Sequence, residues 1–387
     1  MVEPAIRMRE LPISGIRKMF ELAGKDAINF GIGEPDFQPP DYVIEAFARA
    51  MREGRNNYGP SSGIPELRAA IAEKERHRLP SIDASHVVVT CGSTEALYAT
   101  LAAYVDPGDE VLIPNPGFVL YRPHTFLCGG IPVPYPLRKE FHYRPRVDDL
   151  KRLVTDRTKA LVVNSPSNPT GACLREKDVE YIVEFAREHD LLLLTDEAYD
   201  TITFDRPHAT FLGKYDKAVY FNTFSKTYAM TGWRIGYLVA HPDIAEPIKR
   251  MSYHLIANPP TPTQYACLAA LEGPQDFVQG MVQTFKDRRD LVVKLAKDIP
   301  GLDIVKPEGA FYAFCSYEAD VDCKDLAMHI LRTQGVVVTP GDAFGSEGAN
   351  HIRISYATNE AAILEGMTRI KRVFEHIAKG GDIPKAK

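Results

Sequence analysis

The sequence predicts an α/β fold with two domains, a large domain around a mostly parallel, doubly wound sheet and a smaller α+β domain. From about residue 41 to residue 285, short apolar or β-branched runs alternate with longer helical stretches, as in βαβ units. After about residue 286, a charged helical stretch precedes short strands and a closing helix. The predicted large domain is therefore 41–285, and the N-terminal segment 1–40 joins 286–387, the C-terminal third, in the small domain.

The large domain contains six predicted strands. They are Val87–Thr90, Glu110–Ile113, Ala160–Asn164, Leu191–Thr195, Ala218–Asn222 and Ile235–Ala240. Several are apolar throughout instead of alternating, which is typical of strands that helices cover on both faces. This pattern predicts the doubly wound arrangement.

The small domain is predicted from shorter signals. Its strands are expected near Phe311–Phe314, Val336–Thr339 and His351–Ser355. In the closing helix, apolar residues recur at steps of three and four, namely Ile363, Met367, Ile370, Phe374 and Ile377. Such spacing places one apolar stripe toward the protein interior.

Composition excludes several classes of protein. With 387 residues, 45% hydrophobic and 25% charged, the chain matches an ordinary globular protein. The net charge of −5 provides no basic field for nucleic acid, and no apolar run is long enough to cross a membrane. Six cysteines without a C-x-x-C pair predict free thiols, no metal site and a cytoplasmic location.

The first candidate motif is 87–97, a buried strand that turns through Gly92 into a helix beginning with Ser93 and Thr94. Backbone N–H groups and the helix dipole make a helix start a natural anion site, and the hydroxyls add donors. The alternative is that Ser93 only caps the helix, which is the commoner role of such residues.

The second motif is the loop 164–171, which follows a predicted strand at the edge where open α/β sheets bind ligands. Two prolines and a glycine restrict this loop, so the Asn168 amide is expected to hold one orientation. A plain turn is the alternative interpretation of the same residues.

The third motif places Asp196 at the carboxyl end of a strand, with the Tyr199 phenol three residues later. A carboxylate at this position is either a helix-start cap or the counter-ion of a cation bound in the crevice. The residues alone leave both interpretations open.

The densest motif is the segment 222–236. Thr223, Ser225 and Arg234 are able to donate together to a phosphate, and Lys226 lies among them in the sequence. A lysine beside phosphate donors and near a strand-end aspartate is suited to act as a Schiff-base nucleophile. A solvated surface lysine is the alternative, and the neighbouring residues argue against it.

The last motif is the alternating strand 351–355, which directs Arg353 to the opposite face from Ile352 and Ile354. The guanidinium is able to bind a carboxylate through two parallel hydrogen bonds. On the strand pattern alone, an arginine that faces water is the commoner case.

In this order and spacing, the motifs GSTEAL, NPTG, DEAY, SK followed by TGWRIG, and IRIS resemble those of pyridoxal-phosphate-dependent aminotransferases of fold type I, class I/II. The resemblance extends from the segment 30–37 to Arg353. It implies an enzyme that moves the amino group of an L-amino acid to a 2-oxo acid, with 2-oxoglutarate as the acceptor inherited from the family. The implied mechanism is ping-pong, alternating between pyridoxal and pyridoxamine phosphate.

The resemblance also implies roles for individual residues. Lys226 would hold pyridoxal 5'-phosphate as a Schiff base and then transfer the substrate proton, and Asp196 would pair with the ring nitrogen. Tyr199 and Asn168 would hydrogen-bond the phenolic oxygen of the ring, and Phe118 would stack on it. The residues implied for the phosphate end are Gly92, Ser93, Thr94, Thr223, Ser225 and Arg234. The residues implied for the substrate are Arg353, Gly33 and Asn168.

Members of this family form homodimers with composite active sites. Tyr58 matches the tyrosine that reaches the phosphate in the neighbouring subunit. The segment 11–16 is expected to close over the substrate, and its apolar side chains would tolerate an uncharged one.

The choice of amino donor stays open between aspartate and an aromatic or broad range. Position 118 is Phe, where many aspartate-preferring members have Trp, and position 94 is Thr, where one bacterial aspartate subgroup has Lys. The segment 255–262 contains no arginine that could replace these groups.

Two other functions are compatible with parts of this pattern. A pyridoxal-phosphate β-lyase would use the same lysine, aspartate and arginine, because the scaffold does not determine the reaction. A cofactor-sensing regulator would carry a DNA-binding domain, which the 40 residues before the core and the negative net charge disfavour.

Overall fold

The architecture comes from a computed structural model that describes residues 2–9, 11, 24 and 26–385. The strands in these residues are β1 (Ile28–Asn29), β2 (Val87–Thr90), β3 (Glu110–Asn115), β4 (Ile131–Pro136), β5 (Thr158–Asn164), β6 (Leu192–Asp196), β7 (Ala218–Thr223), β8 (Gly236–Ala240), β9 (Leu302–Ile304), β10 (Tyr312–Tyr317), β11 (Val336–Val337), β12 (Thr339–Pro340) and β13 (His351–Ser355).

Twelve α-helices accompany the strands in the described part of the chain. They are α1 (Asp41–Arg52), α2 (Pro65–Glu75), α3 (Ser93–Tyr104), α4 (Tyr121–Leu127), α5 (Val147–Leu153), α6 (Glu176–Glu188), α7 (Phe224–Thr227), α8 (Pro242–Ile256), α9 (Thr261–Glu272), α10 (Asp276–Ala296), α11 (Cys323–Gln334) and α12 (Glu360–Ala378). In this part of the chain, none of them has the length and apolar character needed to cross a membrane.

The large sheet has seven strands in the order β2-β8-β7-β6-β5-β3-β4. Strand β8 runs antiparallel to both of its neighbours, and every other pairing is parallel. Helices α4, α5 and α6 join β3, β4, β5 and β6 in turn, whereas residues 197–217, which join β6 to β7, contain no α-helix. The sheet is of the doubly wound type. This confirms the predicted α/β fold class.

Both faces of the large sheet are covered, because successive side chains of a strand point to opposite faces. In β2, Val87 and Val89 pack in one apolar cluster while Val88 packs in another. In β5, Leu161 and Val163 likewise pack in one apolar cluster and Val162 packs in another. Two-sided burial explains why these strands are apolar throughout instead of alternating.

The smaller sheets lie in the C-terminal third of the chain. The antiparallel sheet has the order β12-β13-β10-β9, and β1 pairs in parallel with β11. The residue after β1, Phe30, is fully buried in the same cluster as the apolar stripe of α12. Residues 28–30 thus pack with the C-terminal third, and the assignment of all of 1–40 to the small domain stays a prediction. The division between 285 and 286 falls inside α10 and stays a prediction.

The structure contains three strands that were not predicted, β1, β4 and β9, and it divides one predicted strand in two. Strand β4 is missing from the prediction because it contains three prolines, which cannot donate to a ladder; it lies at the edge of the sheet, where they are tolerated. The predicted strand 336–339 is two short strands, since β11 pairs with β1 and β12 pairs with β13.

The carboxyl ends of β5, β6 and β7 meet at one edge of the large sheet. In the parallel register Asn164 lies beside Asp196, which in turn lies beside Phe221, two residues before Thr223. Ligands of open α/β sheets bind outside this edge. The fold therefore collects the predicted motifs at a single place.

Candidate active site

Lys226 lies in the short helix α7, immediately after β7. Its Nζ donates a hydrogen bond to the backbone oxygen of Gly33 at 2.6 Å, and it lies 5.8 Å from the ring centre of Phe311. Burial, opposed by the nearby Glu34 carboxylate, lowers the pKa of the Lys226 amine to about 8. A lysine with this pKa holds a substantial fraction of free, nucleophilic amine near neutral pH.

Asp196 is the last residue of β6. Its Oδ2 accepts a hydrogen bond from the Tyr121 hydroxyl at 2.7 Å, and the Asn164 amide holds its backbone oxygen at 2.8 Å. Burial raises the pKa of the Asp196 carboxyl. Within the described residues no lysine, arginine or histidine forms an ion pair with it. The carboxylate is thus anchored from one side and suited to pair with a cationic ligand.

Tyr199 is buried and lies near Lys226, whose Nζ is 5.9 Å from the centre of its ring. Its hydroxyl shares a hydrogen bond of 2.9 Å with the hydroxyl of Tyr312. Burial raises the pKa of the Tyr199 phenol well above its ordinary value. The phenol therefore stays protonated and able to donate.

Arg353 is only 2% exposed, although its side chain carries a full charge. Its Nη2 donates to the backbone oxygen of Gly31 at 2.5 Å, and its guanidinium lies 4.6 Å from the ring centre of Tyr312 and 4.9 Å from that of Phe344. Its Nε has no hydrogen-bond partner among the residues that the structure describes. No carboxylate of the described residues pairs with it, so the charge is left for a ligand.

Asn168 is also buried, and its Oδ1 accepts a hydrogen bond from Nη1 of Arg353 at 3.0 Å. A guanidinium donates only, so it fixes which end of the amide faces it. The Asn168 amide nitrogen points the other way, where it is able to donate to a ligand. The orientation expected from the restricted loop thus has a physical cause.

Two helix starts converge at the opposite end of the site. A Cβ added to Gly236 would lie 2.6 Å from the backbone nitrogen of Ser93 and 2.9 Å from the backbone oxygen of Asn222. The first residue of β8 therefore packs tightly between the start of α3 and the end of β7. Thr94, in the first turn of α3, is partly exposed like Ser93. The first N–H groups of α3, which have no partner inside the helix, therefore lie close to the end of β7, directly before α7.

Arg234 closes this end of the site from a left-handed conformation with φ of 54°. Its Nη2 lies so close to Gly92 that a Cβ there would be 2.6 Å away. Gly92 itself has φ of 78°, where side chains are disfavoured. The glycine thus permits both the turn and the approach of the guanidinium.

Thr223 and Ser225 add hydroxyl groups at the same end. Thr223 is the N-cap of α7, and its Oγ1 accepts from the Ser225 backbone N–H at 3.1 Å. The two hydroxyls are 2.9 Å apart. Together with Arg234 and the start of α3, they form a set of donors suited to an anion.

Two predicted residues lie at the margin. Phe118 packs edge-on against Tyr121, with ring centres 5.7 Å apart, and the Tyr121 hydroxyl donates to Asp196. Tyr58 is 89% exposed, and no hydrogen bond or ring contact of the described residues joins it to the site in this chain. Residues 12–16 of the segment expected to close over the substrate lie outside the described residues.

Sequence reasoning missed Tyr121, Tyr312 and Asn164. Tyr121 and Tyr312 carry no motif signal, because they reach the site through contacts with residues distant in the sequence. Asn164 had one available signal, since it ends a predicted strand directly before the loop of Asn168. Within the described residues no group of three or more His, Cys, Asp or Glu could hold a metal ion.

Comparison with known proteins decides the family. The sequence model described as aminotransferase class I and II matches residues 25–370. The chain belongs to this family. As an aminotransferase, it is an enzyme that transfers amino groups, which confirms the predicted activity.

Relatives and solved structures agree with this assignment. The aminotransferase is 41% identical to the probable aspartate/prephenate aminotransferase of Aquifex aeolicus, with 95% of this chain and 96% of that protein covered. It is 39% identical to aromatic-amino-acid aminotransferase 2 of Thermococcus litoralis, with 95% and 97% covered. A single mutant of Thermus thermophilus aspartate aminotransferase superposes with a TM-score of 0.91 at 34% identity, covering 96% of this chain and all of that one.

Proposed function

We propose that this aminotransferase uses pyridoxal 5'-phosphate, bound covalently to Lys226, to move the amino group of an L-amino acid to a 2-oxo acid. The strongest support is the set of charged groups around the Lys226 amine. Lys226 lies within electrostatic range of Asp196, Arg234 and Arg353. Asp196 is an anchored carboxylate, and Arg234 is placed to donate hydrogen bonds to a phosphate. Arg353 is a buried arginine that pairs with no carboxylate of the described residues.

The residues present fit this cofactor. Its phosphate matches the donors at the starts of α3 and α7 and the Arg234 guanidinium. Its ring nitrogen, when protonated, matches the Asp196 carboxylate, and its phenolic oxygen matches the donors Tyr199 and Asn168. Every polar group of the cofactor has a partner of complementary character.

When bound, the cofactor supplies an aldehyde that carries the amino group and a ring that accepts electrons from a bond breaking at the substrate α-carbon. Lys226 would hold this group through its free amine and, when the substrate amine takes its place, would carry the proton of the substrate α-carbon. A pKa of about 8 suits both tasks, because the amine loses its proton as the pH rises through that value. An ordinary lysine would remain almost wholly charged near neutral pH.

Asp196 holds the proton on the ring nitrogen. Burial raises the pKa of its carboxyl, and the Tyr121 hydroxyl stabilises the ionised form. A nearby cation favours ionisation further, so binding the protonated ring stabilises the carboxylate and the ring proton together. The protonated ring is the better electron acceptor.

Arg353 binds the α-carboxylate shared by the amino acid and the 2-oxo acid. Its hydrogen bonds to Asn168 and to the Gly31 oxygen orient the guanidinium fork. Gly33 lies so close to the Tyr312 hydroxyl that a Cβ would overlap it, so position 33 accepts no side chain beside this tyrosine. Burial of these groups excludes water and strengthens the ion pair.

The side chains near Arg353 and Lys226 favour an aromatic or broad range of amino donors alongside aspartate. The acceptor, 2-oxoglutarate, is taken from the family resemblance. Phe118, Phe311 and Phe344 give the site apolar surfaces. The relatives in Aquifex aeolicus and Thermococcus litoralis are named for aspartate/prephenate and for aromatic amino acids, respectively. Apolar surfaces of this kind discriminate only weakly between uncharged side chains.

The function is tested by half-reactions with single amino acids. The protein loaded with pyridoxal phosphate is mixed with aspartate, glutamate, tyrosine, phenylalanine, alanine or kynurenine, and conversion to the pyridoxamine form is followed by absorbance. We expect conversion without any acceptor, with aromatic donors within about 10²-fold of aspartate. Release of pyruvate and ammonia, without conversion to the pyridoxamine form, would contradict the proposal. Half-reaction rates about 10³-fold higher with aspartate or glutamate than with the other amino acids would contradict the broad donor range.

The proposal includes a homodimer with composite active sites and a cytoplasmic location. A tyrosine that is 89% exposed in one chain, Tyr58, suits a role in a second subunit, where its hydroxyl would reach the phosphate. All six cysteines are free thiols, as expected in a reducing compartment.

Replacing Tyr58 by Phe is expected to weaken cofactor retention by about tenfold, the loss of one hydrogen bond to a charged group. Dialysis of the loaded protein, followed by absorbance, measures the loss. Tyr181→Phe is the matched control, because Tyr181 is also exposed but lies on α6 and contacts Lys177. If Tyr58→Phe retains the cofactor as well as the control does, the shared site is wrong.

A further inference from the structure

A network of buried polar side chains lies behind the active site, between α2 and the ends of β6 and β7. Its members are Lys74, Glu75, Arg78, Asp200, Tyr220, Asn222 and Tyr237. The side chains of Glu75 and Asp200 have no exposure at all. Buried charges are costly unless they are paired, so a network of this size calls for a reason.

The network fixes the direction of each hydrogen bond. Asp200 is ionised, because Lys74 and Arg78 hold the pKa of its carboxyl well below the usual range although burial alone would raise it. An ionised carboxylate only accepts, so the Tyr220 hydroxyl donates to Oδ2 of Asp200 at 3.1 Å. The same hydroxyl therefore accepts from the Asn222 amide nitrogen at 2.5 Å.

This direction determines how Asn222 meets the active site. With its nitrogen held by Tyr220, the amide turns its oxygen to the backbone N–H of Thr223 at 2.6 Å. Thr223 in turn caps α7 and accepts from the Ser225 N–H. The chain of bonds thus runs from a buried carboxylate to the hydroxyl groups at the anion-binding end.

The other end of the chain begins next to the ring-binding residues. Asp200 directly follows Tyr199 and is four residues from Asp196. The network therefore joins the segment that carries the ring partners to the segment that carries the phosphate donors. The distance between ring and phosphate is fixed in the cofactor, so a site for both gains from holding these segments rigidly.

We propose that Asp200, Tyr220 and Asn222 are positioning residues that hold Thr223 and Ser225 in place for the cofactor phosphate. The inference rests on the function proposed above. None of the three needs to touch the cofactor. Their effect should appear in recognition of the phosphate and be absent from recognition of the ring.

The test compares pyridoxal 5'-phosphate with pyridoxal, which has the same ring and aldehyde but no phosphate. In Tyr220→Phe, affinity of the apoprotein for pyridoxal 5'-phosphate is expected to fall by about tenfold, while affinity for pyridoxal changes by less than about twofold. Both are titrated by absorbance. Tyr215→Phe is the matched control, since its hydroxyl binds the Ala186 and Leu191 backbone oxygens at the opposite end of β6.

Asp200→Asn provides a second variant of nearly unchanged shape, in case Tyr220→Phe does not fold. It is expected to show the same selective loss. Equal losses for both ligands, or no loss for either, would overturn the inference. Failure of the wild-type protein to bind pyridoxal 5'-phosphate at Lys226 would instead overturn the proposed function, so the two outcomes are distinguishable.

Discussion

Replacing Lys226 by alanine is expected to lower the rate of amino-group transfer by about 10⁴-fold, the upper end of what one acid–base group contributes. The variant loses both the nucleophile and the group that moves the α-proton. Among the described residues, Lys226 is the lysine whose charge acts on Asp196, so we do not expect a neighbouring lysine to replace it. Single-turnover absorbance with an amino acid measures the rate.

Two further variants make this result specific. Lys226→Arg keeps a positive charge but not an amine that loses its proton near neutral pH, so it is expected to be as slow as Lys226→Ala. Lys249→Ala removes an exposed lysine of α8 that pairs with Glu246, and it is expected to react at the wild-type rate. A Lys226→Ala protein within about tenfold of wild type would remove this residue from the chemistry.

Replacing Arg353 by lysine is expected to lower kcat/KM by about 10²-fold or more for the amino acid and for the 2-oxo acid alike. Lysine offers a point charge where the guanidinium offers two parallel donors, and the loss falls on the carboxylate that both substrates share. Retention of pyridoxal phosphate is expected to fall much less, because, among the described residues proposed to hold the cofactor, Arg353 forms a hydrogen bond only with Asn168.

Steady-state kinetics in both directions, with cofactor absorbance beside them, test this expectation. Arg369→Lys is the matched control, since Arg369 lies on α12 and pairs with Glu365. A loss of kcat/KM for only one of the two substrates would show that Arg353 binds a group other than the carboxylate that they share. A parallel loss of cofactor would show that the substitution disturbs the whole site.

Much of the fold could be predicted from local pattern. Strands with two buried faces are apolar throughout, and β2 and β13 begin and end where the sequence indicated. Strand β4 could not be predicted in this way, because its prolines are acceptable only at a sheet edge, and edges are set by the order of strands. Pairing of β1 with β11 is likewise a contact between distant segments.

The places of the candidate residues at strand ends and helix starts could be inferred from the sequence, whereas their roles stay predictions. The charges of Asp196 and Arg353 both act on Lys226, and Arg353 donates a hydrogen bond to Asn168. The supporting residues could not be predicted, because Tyr121 and Tyr312 reach the site across the fold. The hydrogen bonds of Asp200 could not be predicted either, since its partners Arg78 and Tyr220 lie just after α2 and in β7, respectively.

Covalent attachment of the cofactor to Lys226 is the central claim, and borohydride reduction of the loaded protein tests it most directly. Reduction fixes the cofactor to the amine that holds it, and digestion followed by mass spectrometry locates the modified lysine. We expect the label on the peptide containing Lys226 and on no other. A label on another lysine, or a protein that takes up no cofactor before reduction, would contradict the claim.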